Sequence, residues 1–173
     1  MRSSSRASAT GTLFEGWCGD RGAARAHPGR SRRPPPIAAM QDRYEEMLQR
    51  IRTAVDAAIG PRAWHVHPGS AGYGSCGDRA FEPNVQGRDV TLPSWGFDEP
   101  ITDADWPAVK RAVLDVLGEH GFRPGGMAVD TGGSHELNAY EPTYGGYFNL
   151  GNVTHTVMRV STGCHPGEWR IYE

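Results

Sequence analysis

The stretch GGSHELNAYEPTYGGYFNLGNVTHTVMRV, residues 132–160, decides how this chain folds. Glu136 to Tyr140, Tyr147 to Leu150 and His155 to Val160 each alternate apolar with polar side chains, the period of a strand with one buried face. Gly132-Gly133, Gly145-Gly146 and Gly151-Asn152 separate the runs, and such pairs mark tight turns. Strands this close favour antiparallel pairing, because a parallel neighbour needs a crossover of roughly a dozen residues or more.

Two amphipathic helices precede this stretch. From Gln41 onward Tyr44, Met47, Leu48, Ile51 and Val55 recur at helical spacing, Glu45, Glu46, Gln49, Arg50 and Arg52 fall elsewhere on the wheel, and Gly60-Pro61 stops the run. The second helix carries Trp106, Val109, Val113, Val116 and Leu117 on one stripe. Thr102 is placed to cap it, Asp103 and Asp105 to sit in its first turn, and Gly121 to take the positive φ of a C′ residue. Between the helices, Trp64 to His67 and Val90-Thr91-Leu92 read as short strands, the latter ended by Pro93. Gly69 to Gly77 reads as a flexible connection, and Met127 to Asp130 as one further strand. The expected architecture is α+β, with an antiparallel sheet of about four to five strands and two helices packed on one face.

At 173 residues the chain has room for one ordinary domain, placed at 40–173. Residues 1–39 are rich in Ser, Arg, Gly, Ala and Pro and carry seven arginines against Glu15 and Asp20. They read as a disordered basic leader, with Met40 as an alternative start. The rest holds 11 basic against 18 acidic residues, with Lys110 its single lysine, which argues against nucleic-acid binding by the domain. No apolar run reaches the length of a membrane span, and no secretory h-region is visible.

Cys76 and Cys164 bracket the patterned region. Bonded, they would clamp its first and last parts and suit an oxidising compartment; free, they would pack as small hydrophobes. Spacing leaves both readings open. Cys18 is an unpaired extra in the leader.

Chemistry-bearing residues are sparse. His65 and His67 have the spacing of a metal pair, and His135, Glu136 and His165 could add ligands if the fold gathered them. Cys76, or Cys164 followed directly by His165, could offer a thiol nucleophile, although neighbours on an extended strand point apart. Gly72-Tyr73-Gly74-Ser75-Cys76 has the wrong register for a nucleophile elbow, and no phosphate loop is present. Trp95, Phe97, Tyr140, Tyr144 and Tyr147 are either an aromatic binding surface or packing residues. Asp98, Glu99, Asp103 and Asp105 lack the pattern of a calcium loop.

Tyr44-Glu45-Glu46-Met47, Trp64, Ser75-Cys76-Gly77, Ile101 to Pro107, Gly121-Phe122, Leu150-Gly151-Asn152, Thr154 to Val160 and Gly163-Cys164 occur in an order that resembles the LppA-like lipoproteins of actinobacteria. The likeness spans Tyr44 to about His165. It implies a lipid-anchored, extracytoplasmic domain with a Cys76–Cys164 disulfide, and it carries no catalytic residues. Glu15-Gly16-Trp17 before Cys18 is not a lipobox, so membrane attachment rests on the resemblance alone. The leading expectation is a non-enzymatic, exported domain that binds a cell-envelope protein or ligand and needs no cofactor. The alternatives are a metal- or thiol-dependent enzyme using His65, His67, His135 or Cys164, and a soluble cytosolic interaction domain.

Overall fold

A computed structural model describes residues 34–76, 87–126 and 129–172. Up to residue 33 the expected leader, with Cys18, lies outside them, as do Gly77, Met127 and Ala128. The elements run α1 (Ile37–Ile59), β1 (His65–Val66), β2 (Gly72–Cys76), β3 (Gly87–Thr91), β4 (Trp95–Phe97), α2 (Trp106–Glu119), β5 (Arg123–Pro124), β6 (Asp130–Thr131), β7 (Ser134–Glu141), β8 (Gly146–Asn152), β9 (Thr156–Ser161) and β10 (His165–Pro166).

The fold is α+β, and its strands form one antiparallel sheet in the order β1-β4-β9-β8-β7-β5. β3 joins β9, β2 and β10, while β6 adds to the outer edge of β7. Among the described residues ten strands replace the four to five expected. Four of the ten are two residues long: β1 falls within the expected Trp64–His67 strand and β6 meets the expected Met127–Asp130 run at Asp130, whereas β5 and β10 are too short for any alternation to register in sequence. β2 is the larger surprise. The expected flexible connection is instead a strand paired with β3 over its whole length, from Gly72↔Thr91 to Cys76↔Gly87. Its glycines hid the strand because they supply no side chains to pattern.

The β7-β8-β9 ladder shows why the sheet has two unlike faces. Its register stacks Leu137, Leu150 and Met158 in one row and Ala139, Phe148 and Val160 in the next, all buried. Both helix stripes join these rows in one core, so the two helices lie on the same sheet face. The α1 stripe is buried as its spacing predicts, but the helix begins at Ile37, which is fully buried, and not at Gln41. Gln41, a polar residue with no apolar signature, is buried too. Its side-chain amide donates to the carbonyl of Arg170 (3.0 Å) and accepts from that residue's N–H (2.8 Å), holding the C-terminal segment like a strand partner.

α2 ends as expected. Gly121 takes φ 88° and Phe122 N–H bonds to the Leu117 carbonyl at 3.0 Å, closing a Schellman turn. Its start differs. Asp105 occupies the cap position, Thr102 closes the preceding turn by accepting from Asp105 N–H, and neither aspartate lies in the first helical turn. A close approach demands Gly146: a Cβ there would lie 2.5 Å from the hydroxyl oxygen of Tyr44, which α1 drives into the end of the β7-β8 hairpin.

Candidate functional site

The cysteines meet. Cys76 at the end of β2 and Cys164 after β9 form a disulfide, with Cα atoms 6.0 Å apart and a sequence separation of 88. β9 is not the last strand: β10 follows the cysteine and pairs with β3. The bond removes the thiol that a cysteine nucleophile needs. His165 does not serve Cys164 either, being fully buried with its ring nitrogens 3.0 Å from the carbonyl oxygens of Pro35 and Thr162. Burial draws its pKa below the usual histidine value, opposed by those carbonyls.

The histidines do not converge. His65 and His67 stand together at the β1 edge, ring centroids 4.9 Å apart, with His155 6.3 Å from His67. His135 lies on β7, four strand spacings away, or roughly 19 Å. Among the described residues no three His, Cys, Asp or Glu side chains are arranged to hold a metal.

His135 is instead part of a clamp that sequence reading missed. It is buried against Trp106, rings stacked at 4.7 Å and 10° between planes. Its Nε2 lies 2.9 Å from Asp103 Oδ1 and its Nδ1 3.0 Å from Asp130 Oδ1. Asp103 also accepts the Gly133 N–H at 2.8 Å, and Asp130 the Lys110 ammonium at 3.3 Å. The Gly133 amide, then His135, hold the Asp103 carboxyl below its usual pKa. For Asp130, burial works in the opposite direction but is outweighed by Lys110 and His135, so its pKa also falls. Both ring nitrogens of His135 are engaged by carboxylates, so neither faces a substrate or a metal. The clamp borders a cavity of about 560 Å3 and ties the turn before α2 to the β6-β7 hairpin.

The outer sheet face, turned away from the helices, is a third arrangement. Register places Arg123, Tyr140, Tyr147 and Ser161 in one row there, Asn138, Asn149 and Arg159 in the next, and Glu136, Gly151 and Val157 in a third. These side chains form a network. Tyr147 hydroxyl donates to Asn138 Oδ1 (2.5 Å), the Asn149 amide to Asn138 Oδ1 (2.8 Å) and Glu136 Oε1 (2.9 Å), and the Asn138 amide to Glu136 Oε1 (3.0 Å). Of the aromatic candidates, Phe97 is core and Trp95 and Tyr144 are half-buried, whereas Tyr140 and Tyr147 are 44% and 47% exposed. The signal for this face was present: alternation that buries Leu137 and Ala139 necessarily aims Glu136, Asn138 and Tyr140 the other way.

These features define a small disulfide-closed α+β domain with an apolar, helix-covered sheet face and a polar outer one. The chain belongs to the LppA family: the family model, described as a lipoprotein confined to pathogenic Mycobacterium, matches residues 20–167. Among solved structures it resembles LppA of Mycobacterium tuberculosis, assigned as a lipoprotein, at TM-score 0.61 and 13% identity over 76% of this chain and 79% of that one. That likeness speaks for the fold. A DUF4853 family protein from Actinomyces odontolyticus aligns at TM-score 0.46 and 13% identity, over 81% of this chain and 75% of that one. No curated protein matches the sequence.

Proposed function

We propose that this chain is a non-catalytic, extracytoplasmic domain of the cell envelope that works by holding a partner or ligand on its surface. The observation that carries the reading is the Cys76–Cys164 bond, a link that persists in oxidising compartments and is rare in the cytosol. Membership in a lipoprotein family supports the same address. Support for binding over catalysis comes from the residues best suited to chemistry: Cys164 is bonded, His135 has both nitrogens occupied, and His65 stands far from it.

The test is the state of the native chain in its own cells. Fractionation with trapping of free thiols should recover it in the envelope fraction with Cys76 and Cys164 protected from alkylation. Recovery from the cytosol with both thiols reactive would replace this reading with a cytosolic interaction domain.

A further inference from the structure

Resting on the binding reading above, we infer that the outer face of β7-β8-β9 is a glycan-binding platform, taking a polyhydroxylated oligosaccharide across Tyr140, Tyr147, Asn149, Glu136 and Arg159.

The tyrosines supply the first argument. They are direct cross-strand partners, so their Cβ atoms stand about 5 Å apart. Both rings lean along the sheet. Tyr147 reaches diagonally to Asn138, and Tyr140 lies over Gly125, where an added Cβ would come within 2.5 Å of the ring. Two adjacent, half-exposed rings held against a sheet offer their faces to the C–H faces of sugar rings.

The polar network supplies the second. An exposed side chain gains little from being fixed and loses rotamer freedom. Here the half-buried Asn149 and Glu136 and the exposed Tyr147 are nonetheless held in one hydrogen-bonded array of amide, carboxylate and hydroxyl groups around the buried Asn138. Preorganised groups of this kind can engage sugar hydroxyls through the carboxylate, amide and phenol oxygens, all as acceptors, without the ordering cost that weakens flexible surfaces. Gly151 leaves space beside the array: a Cβ there would meet nothing nearer than Asn149 Oδ1 at 3.9 Å.

Charge selects among ligand classes. Arg123 and Arg159 have no ion-pair partner among the described residues and flank the array, opposing a basic peptide. Glu136, in the end row of the array, opposes a phosphate-dense ligand. Mixed charge around neutral amides suits a neutral or weakly acidic sugar chain, with the arginines placed for ring oxygens or an occasional carboxylate.

The test is a titration of the oxidised, isotopically labelled full chain with chitotetraose, maltotetraose and tetragalacturonate, followed by amide NMR. At least one should shift amides of β7, β8 and β9 at millimolar concentration or below. Tyr140→Ala and Tyr147→Ala should each weaken it about tenfold, the loss of a well-placed anchor. Gly125→Ala, which keeps every contacting group and displaces only the Tyr140 ring, should weaken binding with an unchanged melting temperature. If none of the three sugars shifts these amides, or if folded tyrosine variants bind like the parent, the platform is not a glycan site. That failure would retract the ligand class alone, since the envelope reading stands or falls on thiol protection and fractionation.

Discussion

The two faces of the β7-β8-β9 ladder are built from the same three strands and the same register, yet they do opposite work. On the helix side each row is apolar at its centre, and the polar residues that enter it are fully employed. Asn152, completely buried, donates to the Ile101 carbonyl at 2.9 Å and accepts the Ile101 N–H and the Thr156 hydroxyl. Glu141 accepts the amides of Thr143 and Tyr144 and so shapes the hairpin turn. On the outer side the polar groups bond mostly to one another and contribute nothing to a core. The difference teaches that polar residues here fall into two populations, those that fix the fold and those that shape a surface, and that mutation should separate them.

The largest expected separation is between Phe148→Ala and Asn149→Ala, neighbours on one strand. Removing the buried ring should cost about 3–5 kcal/mol, whereas the outer amide should cost under about 1 kcal/mol, measured by urea unfolding of each variant. Equal losses would break the distinction. Opening the disulfide with paired Cys76→Ser and Cys164→Ser changes should cost roughly 3–5 kcal/mol, because the bond restricts a long loop in the unfolded chain. Asn152→Ala should cost about 2–3 kcal/mol, since both backbone polar groups of Ile101 lose their partner. Arg159→Ala on the outer face should lie within about 0.5 kcal/mol of the parent.

Acid sharpens the comparison at the edge of the inner face. Asp103 and Asp130 have folded pKa values below their unfolded ones, so what they contribute is present above the ordinary carboxylate range and lost as pH falls through it, near pH 4 and below. Urea midpoints measured from pH 7 down to pH 3 should fall across that window. Asp103→Asn should flatten part of the fall; an identical profile for the variant would remove the clamp from the account of acid stability.

Much of the inner face was legible in the chain and much of the rest was not. The helical stripes, the three long strands and the Gly121 stop each rest on a repeating or local pattern, and each is present where the pattern lies. β2 escaped because glycine carries no pattern, and β5 and β10 because two residues cannot show a period, whereas β1 lies inside the expected Trp64–His67 strand. Gln41 and Asn152 are polar residues whose partners lie 129 and 51 residues away, information that no window contains. His135 draws one carboxylate, Asp103, from the turn before α2, 32 residues away, and the other, Asp130, from β6 only 5 residues away, so the first alone lies beyond a local window. Spacing alone left the cysteines undecided, and the family likeness implied their pairing.

The small pieces beside β7 have a consequence for how this domain can meet another molecule. Its eight residues would make a long open rim, the sort of edge to which a foreign chain adds itself backbone to backbone. β5 and β6 occupy the two ends of that rim, and in between the Gly125 N–H reaches the Asn138 carbonyl while the Val129 carbonyl takes the Glu136 N–H. Each fragment is too brief to template a newcomer in turn. Self-propagating association is therefore discouraged along this side, and a visitor arriving there must be recognised by side chains.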